Sequence, residues 1–97
     1  MNVQERIEKL QSDIYENAEE SDLKQYVLKE LTNVSNTIID NVDNPEGDLV
    51  VKSRIERLQN DIYENAKDSE LKEYALNELT KISFQARDEY MQDGPRL

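Results

Sequence analysis

A chain of 97 residues with 35% charged side chains and a mean hydropathy of −0.91 has room for one thin-cored domain and not for two independent cores. It has no Cys and no His, which excludes a disulfide framework, thiolate metal sites and the commonest general base and metal ligand. The net charge of −10 argues against direct contact with nucleic acid or an anionic membrane and favours a partner protein with a basic surface.

In chain order, the first signal is a helix start at Asn2, where Glu5 three residues later completes capping-box spacing. The opening stretch lacks the basic flank and apolar run of a signal peptide, and no segment has the roughly 18 to 20 apolar residues of a membrane span, so the expected location is cytoplasmic. Val3, Ile7, Leu10, Ile14 and Ala18 then recur at steps of three and four, which predicts an amphipathic helix. The step from Ala18 to Leu23 is five. The stripe therefore changes face where Ser21 is placed to cap a second helix, carried by Leu23, Val27, Leu31, Val34, Ile38 and Val42. One continuous helix of about 40 residues is the alternative, because Glu19 to Asp22 include neither Gly nor Pro.

Residues 43–50 read as a linker, with Pro45 removing a backbone donor and Gly47 permitting positive φ. The pattern then starts again. Residues 51–90 repeat residues 3–42 without a gap at an offset of 48, and 22 of the 40 aligned positions are identical, so the chain is a tandem duplication. Val51, Ile55, Leu58, Ile62 and Ala66 form the third stripe, with a helix start expected at Ser53. Leu71, Ala75, Leu79, Ile82, Ala86 and Tyr90 form the fourth after Ser69, and Gly94-Pro95 sets its stop near Asp93. The prediction is a single all-α domain over residues 1–97, made of four helices in two duplicated hairpins, related either by a pseudo-two-fold or by stacking.

The frame of Leu71, Lys72, Ala75, Leu79 and Ile82 after the acidic turn, repeated at Leu23, Lys24, Val27, Leu31 and Val34, resembles the turn and second helix of a HEAT-type repeat. The resemblance implies a protein-binding scaffold in a short stack and carries over no catalytic residues.

Chemistry-bearing constellations are few. A di-iron bundle site needs Glu-x-x-His pairs, and the linker, aligned as a calcium loop on Gly47, loses its first and twelfth ligands to Val42 and Ser53. No base stands ready to activate a Ser or Thr, so the expectation is a non-enzymatic interaction or regulatory module without cofactor. The alternative is an acidic DNA mimic that blocks a basic nucleic-acid-binding protein, with Asp13, Glu16 and Glu20 on one helical side as part of a phosphate-like row.

Tyr15, Tyr26, Tyr63 and Tyr74 are expected at the edge of the buried stripe. Tyr15 with Glu16 and Glu19, and its duplicate Tyr63 with Glu64, are candidate partner contacts. Phe84 and Met91, which replace Asn36 and Asp43 of the first copy, are candidates for a homodimer or partner patch, or else cover the end of the second helix. Residues 1–48 carry 12 acidic and 4 basic side chains against 10 and 8 in residues 49–97, so the acidity belongs to the first copy. Asp13/Asp61, Glu16/Glu64, Asn17/Asn65 and Lys24/Lys72 are identical off the stripe around each turn, which assigns them either to closing the turn or to a duplicated binding edge.

Overall fold

A computed structural model describes residues 2–93. Four helices run α1 (Val3–Asn17), α2 (Asp22–Asp40), α3 (Gly47–Asn65) and α4 (Glu70–Asp93), and the described residues include no strand. Each copy is a helix hairpin. The break between α1 and α2 is real, because Ala18 leaves the helix with extended backbone at φ −83° and ψ 143°. Ser21 then caps α2 by accepting the Lys24 N–H at 3.1 Å. Ala66, Ser69 and Lys72 repeat both features in the second copy. At the start of α1 the capping box of Asn2 and Glu5 forms with both bonds in place.

The stripes read from the sequence are the core. Ile7, Ile14, Val27, Leu31, Ile55, Leu58, Leu79 and Ile82 are fully buried, and Leu23, Leu28, Leu71 and Leu76 pack against them from the margin. Leu28 and Leu76 lie one residue past the stripe at Val27 and Ala75, so the buried face is wider than the strict three-and-four spacing indicates. Val42 falls outside α2 and is exposed, and it does not extend the stripe.

The helices are arranged so that α1 touches α2 and α4, α3 touches α2 and α4, and α2 meets α4 across the short diagonal, while the backbones of α1 and α3 stand apart across the long one. That pattern is unchanged when the two copies are exchanged. The side chains show the same exchange in detail: Tyr26 donates its hydroxyl to Asp61 at 3.3 Å, and Tyr74 donates to Asp13 at 3.2 Å. In a translational stack, residue i of one copy touches j of the next and the reverse contact is missing. Reciprocal contacts are the mark of a two-fold, so the hairpins pair about a pseudo-two-fold, and the likeness to HEAT-type repeats stops at the hairpin.

Two expectations about the linker are corrected. Ser53 does not start a helix; it lies inside α3, which begins at Gly47, so the connection is confined to residues 41–46 and the expected linker residues 47–50 are helical. Gly47 does not use positive φ either. The turn is wound tightly by its asparagines: Asn41 O accepts the Asn44 N–H at 3.0 Å, Asn44 O accepts the Gly47 N–H at 2.8 Å, and Asn44 Oδ1 accepts the Glu46 N–H at 3.0 Å. This brings the Asn41 carbonyl against the Cα of Gly47, and the buried glycine is required by that close approach. Asp93 is the last described residue of α4, and the expected stop signal at Gly94 and Pro95 lies outside the described residues.

Candidate functional site: an acidic cleft between the two turns

Because the two-fold sets the hairpins side by side and in the same direction, both turns come to one end of the bundle. A cleft of about 1400 Å³ opens between them. Its floor is apolar, from Ile14, Ala18 and Leu23 with their duplicates Ile62, Ala66 and Leu71. Tyr26 and Tyr74 line its sides, each about 40% exposed. The rim carries Asp13, Glu19, Glu20 and Asp22 from the first copy, and Asp61, Lys67 and Glu70 from the second. Of the nine duplicated pairs that line it, seven are identical, one exchanges Asp22 for Glu70, and one reverses charge from Glu19 to Lys67.

The two Tyr–Asp bonds cross the pseudo-two-fold and tie each turn to the other hairpin. Burial pushes both phenols above their usual value of 10.0, and the facing carboxylate, Asp61 for Tyr26 and Asp13 for Tyr74, adds to that shift. Both hydroxyls therefore remain protonated donors through the neutral range. Lower in the bundle the hairpins are joined by Arg54 to Glu30 at 2.6 Å, with both side chains largely covered. Arg6, the duplicate of Arg54, donates to Gln85 at 2.7 Å.

Lys24 and Lys72 have the local role. The Lys24 ammonium donates to the Ala18 carbonyl at 2.9 Å and the Lys72 ammonium to that of Ala66 at 2.8 Å, so each cation sits on the C-terminal end of the preceding helix. Each also lies 5.6 Å from a ring centroid, Lys24 over Tyr15 and Lys72 over Tyr63. Neither lysine therefore lies in the cleft. Asn17 and Asn65 end α1 and α3, and both also line the cleft.

The structure divides the candidates read from the sequence. Asp13, Glu19 and Glu20 come together on the cleft rim, joined by Asp61, Asp22 and Glu70. Tyr15 and Tyr63, expected at the stripe edge, are 71% and 66% exposed on the outer side of the hairpins and line no part of the cleft. Glu16 and Glu64 are exposed beside them and line no part of the cleft. The row of Asp13, Glu16 and Glu20 along one helical side does not exist, because α1 ends at Asn17 and Glu20 lies in the turn. Phe84 and Met91 are 52% and 70% exposed on the later part of α4 and line no part of the cleft; the Arg87 guanidinium lies 5.2 Å from the Phe84 ring. Sequence reasoning placed Tyr26 and Tyr74 only as stripe-edge residues. Their signal was identity between copies next to an identical Asp13/Asp61 pair, but the partners are 35 and 61 residues apart and meet only through the two-fold.

No protein-family model matches the chain, and no match was found among curated proteins or solved structures. Among the described residues no helix is long and apolar enough to cross a membrane.

Proposed function

We propose that the protein is a non-enzymatic interaction module whose cleft receives a basic region of another protein. The observation that carries this reading is the cleft itself: an apolar floor framed by six carboxylates and one lysine at the end of a duplicated bundle. Its volume exceeds the roughly 300 to 1000 Å³ usual for small-molecule pockets, and it is open, which suits a polypeptide segment better than a metabolite. An apolar centre with a charged rim is also the general anatomy of protein interfaces, and the excess of carboxylates selects a cationic partner and steers its approach. A second copy of the chain is disfavoured at this surface, since two such rims repel.

The test compares two charge-matched variants. Glu19→Lys, Glu20→Lys, Asp22→Lys alters the rim, while Glu8→Lys, Asp40→Lys, Asp43→Lys makes the same change in net charge at exposed positions outside it. A synthetic amphipathic peptide of Leu and Lys serves as the probe, read by amide shifts and titrated at two salt concentrations. The rim variant is expected to lose at least tenfold in affinity, about 1.4 kcal/mol or more. The distal variant is expected to stay within about twofold of wild type, a small screened effect. Equal losses in both variants would reduce the interaction to net charge and reject the cleft. A captured natural partner that duplex DNA displaces would shift the reading to nucleic-acid mimicry.

A further inference from the structure

The cleft is nearly symmetric in shape and markedly asymmetric in charge, and the asymmetry has one main source. Around the pseudo-two-fold the apolar floor and the Tyr–Asp pairs repeat, so packing alone gives a bound segment two equivalent directions. Charge removes the equivalence. The first-copy rim has Asp13, Glu19, Glu20 and Asp22. The second has Asp61 and Glu70, with Asp68 exposed in the same turn as the duplicate of Glu20, and Lys67 standing where the first has Glu19. Glu20 and Asp68 are each paired with the lysine of their own turn, so the Glu19/Lys67 exchange is what separates the two sides. Glu19 and Lys67 are both exposed, and neither is engaged in a hydrogen bond or ion pair, so their charges are free to act on an occupant.

We infer that the cleft binds its partner segment in one direction, that the segment is amphipathic with its positive charge concentrated toward one end, and that the Glu19/Lys67 pair sets the direction. The inference rests on the proposed function and adds the partner's polarity to it. The basic end lies over the turn of the first hairpin, where attraction is strongest, and the neutral or acidic end lies over Lys67. The wrong direction places cations against Lys67 and leaves Glu19 unmatched, which is discrimination by repulsion as well as by attraction. The closely matched floor keeps the apolar anchors seated either way, so direction and affinity are separable properties of this site.

The experiment uses the full chain and two synthetic amphipathic peptides with the same apolar face. One has its Lys residues in the N-terminal half and Gln in the C-terminal half, and the other has the reverse order. A nitroxide at the basic end reports direction through broadening of the amides of Ser21 and Asp22 against those of Ser69 and Glu70. With the wild type, both peptides are expected to broaden the first-copy turn several-fold more than the second. In the double exchange Glu19→Lys, Lys67→Glu, which leaves net charge and floor unchanged, the preference is expected to invert with affinity changed by less than about threefold. Equal broadening of the two turns in the wild type, or an unchanged preference in the exchange variant, overturns the directional inference while the proposed function stands. Absence of peptide-induced shifts at the cleft overturns both.

Discussion

Leu79→Ala is expected to destabilise the protein by about 2–5 kcal/mol, read as a fall in the denaturant midpoint at unchanged slope. Leu79 is completely buried on α4, the helix that touches each of the other three, so a cavity there is lined by side chains that cannot all close in on it. A domain of this size has roughly 5–15 kcal/mol in total, so the variant loses a large share of its stability. Leu31 occupies the equivalent place on α2 and is equally buried, and the two-fold predicts a cost in the same range for Leu31→Ala. Val50→Ala, on the exposed side of α3, supplies the contrast and is expected to change stability by less than about 0.5 kcal/mol. A loss at Leu79 no larger than that at Val50 would mean that the helices do not share one core.

Gly47→Ala has the opposite sign from what helix propensity alone indicates. An alanine within the first turn of a helix gains up to about 1 kcal/mol over glycine where space allows. Here the added Cβ lands inside the contact radius of the Asn41 carbonyl oxygen and 3.3 Å from the Asn41 Cβ. The oxygen is backbone, held by its bond from the Asn44 N–H, and cannot swing aside as a side-chain tip would. The expected net effect is a destabilisation of about 1–3 kcal/mol, from forced displacement of the turn. Thermal unfolding checks it, and a rise in Tm would show that the Asn41–Gly47 approach is looser than described. Because this turn sets where α3 starts relative to α2, the same substitution also bears on how closely the two hairpins meet.

Much of this architecture is legible in the sequence. The four stripes, the capping box at Asn2, the caps at Ser21 and Ser69 and the duplication are local or periodic signals, and they translate directly into helices. The α3 start was not legible, since Gly47 reads as a breaker and Ser53 as a cap. What decides the matter is the bonded turn from Asn41 to Gly47, which supplies the first turn of the helix with acceptors upstream of Ser53. Tyr15 and Tyr63 stand next to stripe residues yet point outward, because one step along a helix turns a side chain by about 100° and theirs takes them over the lysine that closes each hairpin. The cleft was legible only in fragments. Glu19 and Glu20 drew attention through charge, but the floor and the Tyr–Asp ties belong to the relation between the copies, and a sequence repeat is compatible with either a two-fold or a stack.

The two hairpins pair about a pseudo-two-fold so that both turns form one cleft. This pairing is tested most directly by the distance between the turns. The chain has no cysteine, so Glu19→Cys, Lys67→Cys takes two spin labels without further change, and dilution with unlabelled chain suppresses intermolecular signals. The molecule measures 47 × 22 × 19 Å, and turns at the same end lie across its short dimensions. Pulsed dipolar spectroscopy is expected to give a single population at a separation comparable with the 22 Å width. A population approaching the 47 Å length would place the turns at opposite ends and contradict the account.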